Sequence, residues 1–546
     1  MSSSTDIRNS SVLPQHTDFL NGARWRIAIL SLVAATIFIA APLVGWPEIV
    51  RMKFVAVPGF LLALVMIRPW RWTRRDEEAL AQWQPSARFV WILALAIGLT
   101  LYWFVFTAFQ TGGINALDFT VFFDRPLFHT IHGRPLLVET ADGFGSKGGL
   151  TIHAYWAMFP ISAIYAIYAT PQWLLVLSVV SVVFGSVHVL RIAQRLGMAG
   201  VLAVATALAF LLNDNTARTL NYGFHPEVLY AWFIPWMLHA GLSGNRRSFL
   251  VATIACASVK EDAFMPLLAA STALMLVRGR EMTWADRVLF LLVPSGIGLA
   301  NLWFYYGVVL PRVEGQPLYG GFWAGYGATP TLALAGMVSQ PMRVLHDVMT
   351  SGFFSVVMVP HLFLPIIGWR WIIGAIPIIS LYGASSNEQL HWFGIYYAIV
   401  LVPFLVIAAS AGASTIAHYI TREAGRAQWI AALIVLAGAL PVGGGYVLRP
   451  WRPEISAVPS ALRRLPGERL VLVQSGLYPH AGYEARIKLL TPEALHDVRA
   501  AGAAVLIAPL ISAYPLSADD LARLLQRPSI APMPDGLLAV RVDGVP

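Results

Sequence analysis

Charge is scarce in this chain. Charged residues make up 12% of 546, against about 25% in a soluble globular protein, so an ordinary water-facing surface cannot be built from them. Hydrophobic residues fill 57%, at a mean hydropathy of +0.63. Cysteine is nearly absent: Cys256 stands alone in an apolar run, which excludes an intrachain disulfide and a cysteine metal cluster. The polar N-terminal stretch lacks the short apolar core and cleavage site of a signal peptide, so the first apolar run is expected to remain as an anchor. No G-x-x-x-x-G-K-[ST], H-E-x-x-H or G-x-S-x-G pattern occurs, which leaves nucleotide hydrolysis, zinc proteolysis and serine-hydrolase chemistry without support.

What is present is a series of apolar runs of about 20 residues, the mark of a polytopic membrane protein. The net charge of +9 sits mostly in short loops, where it reports topology and attraction to anionic headgroups rather than nucleic acid binding. Reading spans by apolar length and orientation by Lys and Arg predicts a mainly α, polytopic helix bundle of about 13 spans. The expected divisions are a polar cytoplasmic tail (1–23), two N-terminal spans with a basic cytoplasmic loop (24–88), a transmembrane domain (89–448) with an outer loop at 110–170, and a small α/β domain (449–546) on the extracytoplasmic side. Within the outer loop, 151–168 reads as an interfacial or re-entrant helix, because a full span there would put "RIAQRLG" (191–197) outside. Buried-strand patterns at 469–475, 503–509 and 537–542 alternate with amphipathic helix patterns in the last segment. That segment has no glycine-rich phosphate fingerprint, and no catalytic role is assigned to it.

Between two apolar stretches, "ASVKEDAFMP" (257–266) sets Lys260, Glu261 and Asp262 side by side. The interval 248–277 is too long for one span at about 1.5 Å per residue, so it is expected to form a tight hairpin with these residues at its outer tip. Its arms of about 12 and 15 residues are short, which sinks the tip toward the membrane. With orientation fixed by basic loops, Asp118, Asp124, His153, His225, Glu227, Glu388 and His391 fall on that same face. Ionisable groups near membrane depth are functional candidates, and these converge.

Each has an ordinary reading too. Asp118 and Asp124, six residues apart, are placed as general bases for a hydroxyl at the membrane surface, or cap a short helix, or pair with Arg125 and Arg134. His153 could hold a phosphate, a metal or a hydroxyl, or merely pack. His225 and Glu227 straddle Pro226 where a span begins, which suits an anion at free backbone N–H groups or simple capping. Lys260 could hold its acidic neighbours ionised or bind a phosphate.

Taken together, Asp118-Phe119 with Asp124, His153 before an aromatic helix, "FHPE" (224–227), "KED" (260–262), His391 opening a late span and "LYPHAGYEAR" (477–486) resemble the domain-of-unknown-function 2079 membrane proteins over roughly residues 90–510. Two positions depart from the pattern: Arg125 stands where glutamine is expected, and no acidic residue precedes His153. That family is similar to the GT-C glycosyltransferases, integral membrane enzymes using polyprenyl-phosphate sugars. The resemblance implies an inverting transfer from a lipid-phosphate sugar at the extracytoplasmic face of a bacterial inner membrane, with the N-terminus cytoplasmic. Asp118 would be the leading base and Asp124 the second. His153, His225, Glu227, Lys260, Glu261, Asp262, Arg125 and His391 would bind substrate. A divalent cation, magnesium or manganese, has a place with Asp118, Glu261 and Asp262 as candidate ligands, though the spacing specifies none. The expected partners are the polyprenyl-phosphate sugar, membrane lipids and an unidentified acceptor, with no nucleic acid. The alternative is a secondary transporter or flippase for a lipid-linked or anionic substrate, whose discontinuous helices a short charged hairpin also resembles.

Overall fold

A computed structural model describes residues 73–140, 144–313, 321–391, 396–439, 452–465, 467, 470–497, 500–512, 514–527 and 529–542. The two expected N-terminal spans, near 27–46 and 52–67, lie outside the described residues. The rest is mainly helical. In chain order the principal helices are α1 (Arg74–Gln82), α2 (Ala87–Gln110), α3 (Arg125–Ile131), α4 (Met158–Tyr165), α5 (Gln172–Arg195), α6 (Gly200–Leu212), α7 (Asp214–Tyr222), α8 (Tyr230–Leu242), α9 (Arg246–Ala257) and α10 (Phe264–Arg278). They continue with α11 (Trp284–Arg312, carrying two π-helical segments), α12 (Pro330–Ser339), α13 (Pro341–Thr350), α14 (Phe353–Met358), α15 (Ile376–Gly383), α16 (Val402–Ile420) and α17 (Ala424–Ala439).

By length and composition, four of these can cross a membrane: α2, α5, α11 and α16. Two bent pairs, α6 with α7 (40°) and α13 with Phe353–His361 (68°), raise the number to six among the described residues. The other apolar runs that the sequence marks as spans fold as shorter helices, because polar joints and prolines interrupt them. The α6–α7 break falls at Asn213, whose side chain accepts from Asn215 N at 2.9 Å. Helix α8 has only 13 residues and carries Pro235 inside it. Helices α5 and α16 are the central ones, 61% and 67% buried, while α2 and α11, at 28% and 22%, present apolar flanks outward. The α5–α8 contact depends on Gly185, where a Cβ would collide with the Ala231 carbonyl oxygen.

Helices α9 and α10 form the expected hairpin. The chain breaks between Ala257 and Phe264, and Arg278, ending α10, donates to the carbonyls of Gly241 (2.7 Å) and Leu242 (3.1 Å), just before α9 begins. Both arms therefore return to one end. At 12 and 15 residues they reach about 18 and 22 Å, short of a hydrocarbon core of about 30 Å. Within the expected helix at 151–168, α4 covers only Met158–Tyr165 and is shorter still, at eight residues.

The C-terminal residues build a five-stranded mixed sheet. Strands β3 (Val471–Val473), β4 (Ile487–Leu489), β5 (Ala504–Ile507), β6 (Ala531–Pro532) and β7 (Leu538–Arg541) lie in the order β4-β3-β5-β7-β6. The β3 pairings with β4 and β5 are parallel and the β7 pairings with β5 and β6 antiparallel. Helices α18 (Pro453–Arg463) and α19 (Ala518–Leu525) accompany the sheet. Ahead of it in the chain, β1 (Leu137–Glu139) and β2 (Ser146–Gly148) make an antiparallel hairpin that the sequence did not announce. One apolar core joins the two regions: Val121 and Val138 pack with Ile455, Val458, Val473 and Tyr478.

Candidate active site

Asp118 opens a π-helical segment (Asp118–Asp124) that runs directly into α3. Such wide turns are rare and often mark functional sites. Tyr222, at the end of α7, donates its hydroxyl to Asp118 Oδ2, and Asn115 Nδ2 donates to the same oxygen at 3.2 Å. Asn115 Nδ2 also reaches Tyr222 Oη at 2.6 Å, closing a small triangle. Among the described residues no group bonds Asp118 Oδ1. One carboxylate oxygen is thus held, and the residue lines a cavity of about 200 Å³.

The same cavity is lined by His153, His225, Tyr155, Tyr396 and Tyr397, with Asn387 and Gln389 at another part of its wall. Each histidine is backed by a glutamate. His153 Nδ1 lies 2.7 Å from Glu261 Oε1, while Ala154 N donates to the other oxygen at 3.0 Å. The acidic partner of His153 thus comes from the hairpin tip, 108 positions away. His225 Nδ1 pairs with Glu227 Oε2, whose other oxygen accepts from Lys260 Nζ at 2.9 Å. Lys260 also stands 3.8 Å from Asp262 and 5.9 Å from the Tyr397 ring centroid. It is one of only four lysines among 38 basic residues; a compact ammonium can serve two carboxylates from one point, where a planar guanidinium prefers one bidentate partner.

Backbone geometry explains the placement of His225. Gly223 adopts φ +97, favoured by glycine alone, and turns the chain out of α7. His225 is then extended (φ −138, ψ 139), and Pro226 opens the short 3-10 turn into α8. The His225 side chain makes no capping bond; its ring stacks on Tyr396, with centroids 3.4 Å apart at 12°. The hairpin tip is secured separately: Asn301 of α11 donates to the carbonyls of Ala257 and Lys260, both at 3.1 Å, and accepts from Trp156 at 2.7 Å.

Asp124 and Arg125 point elsewhere. Asp124 does not line the cavity; it is buried and accepts from Tyr165 (2.5 Å) and Tyr483 (2.8 Å). Burial pushes its carboxyl up to about 6, against the downward pull of the two tyrosine hydrogen bonds and the Arg125 charge. Arg125 bonds Glu139 (3.3 Å) and the Gly482 carbonyl (2.9 Å), and lies over the Tyr478 ring at 4.1 Å. Tyr478 in turn donates to Glu139 at 2.7 Å. Phe128 and Tyr483 stack 4.1 Å apart and 6° from parallel, and His480 meets the Phe109 carbonyl at 3.3 Å. The stretch 477–486 is therefore a partly buried polar lock on the segment that carries Asp118.

His391 does not line the cavity; among the described residues its ring contact is Phe353, with centroids 6.5 Å apart. Asp118, Glu261 and Asp262 do not gather: among the described residues no group of three or more His, Cys, Asp or Glu side chains could hold a metal ion. Tyr222, Asn115, Asn301, Tyr396, Tyr165 and Tyr483 were not singled out in the sequence. Tyr222 lay beside a marked motif, in "NYGFHPE", and Tyr483 within another, "LYPHAGYEAR".

Residues 113–442, more than half of the chain, match the family described as "Predicted membrane protein (DUF2079)". The chain belongs to the DUF2079 family. The matched DUF2079 region holds Asp118, His153, His225, Glu227 and the Lys260–Asp262 tip, and stops short of the C-terminal sheet. Among curated proteins none matches. Among solved structures, the crystal structure of ArnT from Cupriavidus metallidurans bound to undecaprenyl phosphate is similar at 12% identity, covering 84% of this DUF2079 chain and all of that one, with a TM-score of 0.43. The apo structure of the same ArnT gives 13% identity, the same coverage and a TM-score of 0.41.

Proposed function

We propose that this DUF2079 protein is an integral membrane glycosyltransferase, transferring a sugar from a polyprenyl-phosphate donor to an acceptor hydroxyl at the extracytoplasmic face of the bacterial inner membrane. The observation that carries the reading is the Asp118 carboxylate: one oxygen fixed by Tyr222 and Asn115, in a cavity shared with two glutamate-backed histidines. The GT-C character implied by the sequence motifs supports the same chemistry.

In this reaction Asp118 accepts the proton of the acceptor hydroxyl. The oxygen attacks the anomeric carbon from the side opposite the lipid phosphate, and the bond from that carbon to the phosphate oxygen breaks, so configuration inverts. The departing phosphate takes the electron pair. His153 and His225 line the cavity that receives it, and Lys260 offsets the negative charge of Glu227 behind His225. Arg125 and Asp124 are not used in this scheme; they hold the catalytic segment to the C-terminal sheet, which would lie on the same face.

The test is Asp118→Asn in membranes supplied with lipid-phosphate sugar. A positioned base contributes about 10²–10⁴ in rate, so turnover should fall by that factor while expression and thermal unfolding stay unchanged. Transfer at the wild-type rate would remove Asp118 from the role.

A further inference from the structure

A second polar site lies at the far end of the bundle. Phe184, His188, Arg191 and Arg195 recur at i, i+4, i+7 and i+11 on α5, which puts them on one face. Trp232, Trp236 and His239 recur at i, i+4 and i+7 on α8, the helix packed against it. The two stripes meet: Phe184 and Trp232 centroids lie 5.0 Å apart, His188 and Trp236 6.3 Å, and the two histidine Nδ1 atoms 3.2 Å. Trp91 of α2, half exposed, extends the aromatic row from Phe184 at 5.8 Å. On α5 the stripe passes from aromatic to histidine to arginine and on α8 from tryptophan to histidine, and it ends at a cavity of about 430 Å³ lined by Arg191, Gln194, Arg195 and His239.

No acid answers this charge. Among the described residues Arg191 bonds only Gln194 (3.0 Å) and Arg195 has no partner. The charges felt by His239 are those of Arg195 and Arg191, with no carboxylate beside them. Cations in a last helical turn are favoured by the helix dipole, which accounts for Arg195 but not for a facing histidine pair, a cavity, or an aromatic row running away from it. Two donors with fixed fork geometry beside imidazole suit a phosphate. The aromatic row suits an apolar chain, as basic pockets between membrane helices do for anionic lipid heads. His239 lies in the last turn of α8, whereas His225 precedes the 3-10 turn that opens it, so this cavity is at the opposite end of α8 from the candidate active site.

We propose that the α5–α8 groove is a binding site for an amphiphilic phosphate: its head in the Arg191–Arg195–His239 cavity, its chain along Trp236, Trp232, Phe184 and Trp91. The site does not depend on the transferase reading. The test is native mass spectrometry and thermal shift on the delipidated full-length protein. The probes are inorganic phosphate, phosphatidylcholine, phosphatidylglycerol and undecaprenyl phosphate. Either anionic lipid should bind and stabilise, and which of them binds better identifies the source of the head group. Phosphatidylcholine and inorganic phosphate should do neither. In Arg191→Gln/Arg195→Gln, anionic lipid binding should weaken roughly 10- to 30-fold; Arg191→Lys/Arg195→Lys keeps the charge and should retain most of it, which separates lost binding from lost folding. Equal lipid binding by the wild type and the Gln variant would overturn the proposal, and so would inorganic phosphate binding as tightly as lipid.

Discussion

Tyr222 donates its hydroxyl to Asp118 across 104 positions of sequence, joining the end of α7 to the start of the π-helical segment. The bond keeps one carboxylate oxygen aimed. Tyr222→Phe removes it without changing the volume. A hydrogen bond to a charged group is worth about 1.5–3 kcal/mol, so turnover should drop roughly 10- to 100-fold, less than in Asp118→Asn. Because Asn115 still holds the same oxygen, KM should move little. Steady-state kinetics with donor and acceptor varied separately would check this; an unchanged kcat would mean that Tyr222 only packs.

Lys260, Glu227 and His225 form a buried row in which no member can be removed cheaply. Breaking a buried pair by deleting one partner costs about 3–5 kcal/mol, because the other charge stays behind. Lys260→Met should therefore lower the unfolding temperature sharply, and Lys260→Met/Glu227→Gln should recover much of the loss while remaining inactive. Additive damage in the double variant, read by thermal unfolding in detergent, would show that the two side chains are not coupled.

Much of this arrangement is readable from the chain, for reasons that also mark where reading stops. The hairpin is legible because three adjacent ionisable residues cannot sit in mid-membrane and basic loops fix both ends. Its partners are not legible: nothing local ties Glu261 to His153, since that contact exists only once α9 and α10 bring the tip to the start of α4. The segregation of Asp118 from Asp124 had a signal. At about 100° per residue, positions six apart lie well over 90° apart around a helix, so both acids cannot face one cavity. The span count is not confirmed among the described residues, where up to six spans are long and apolar enough, because hydropathy registers a proline- or asparagine-broken run and an unbroken helix alike.

Asp124 makes docking of the C-terminal sheet depend on pH. Its carboxyl, pushed up to about 6 from an ordinary 3.8, stays protonated in the folded protein where the unfolded chain has already released its proton. The folded state then binds more protons, so stability falls as pH rises from about 4 through about 6. Protection of residues 453–542 against protease should be stronger at pH 5 than at pH 7.5. Asp124→Asn, neutral at both, should flatten the difference; a pH dependence surviving in that variant would place its origin elsewhere.

Arg125 stands where the resemblance leads one to expect glutamine, and its environment explains what the charge does. The guanidinium joins Glu139, the Gly482 carbonyl and the Tyr478 face in one buried contact. Glu139 then retains only Tyr478 (2.7 Å) and Lys488 (3.5 Å) if the arginine is lost. Arg125→Gln should thus loosen the sheet from the Asp118 segment by less than the about 3–5 kcal/mol of an unpaired buried charge, since Lys488 still answers Glu139, while the Asp118–Tyr222 bond is untouched. Turnover should fall only as far as undocking lets the segment move, and Arg125→Gln/Glu139→Gln should restore part of the docking by removing a buried carboxylate that has lost one partner. Limited proteolysis of the two variants alongside turnover separates the cases: if Arg125→Gln abolishes transfer with the sheet still protected, the guanidinium acts on substrate and the family-pattern reading of Arg125 as a binding residue is the correct one.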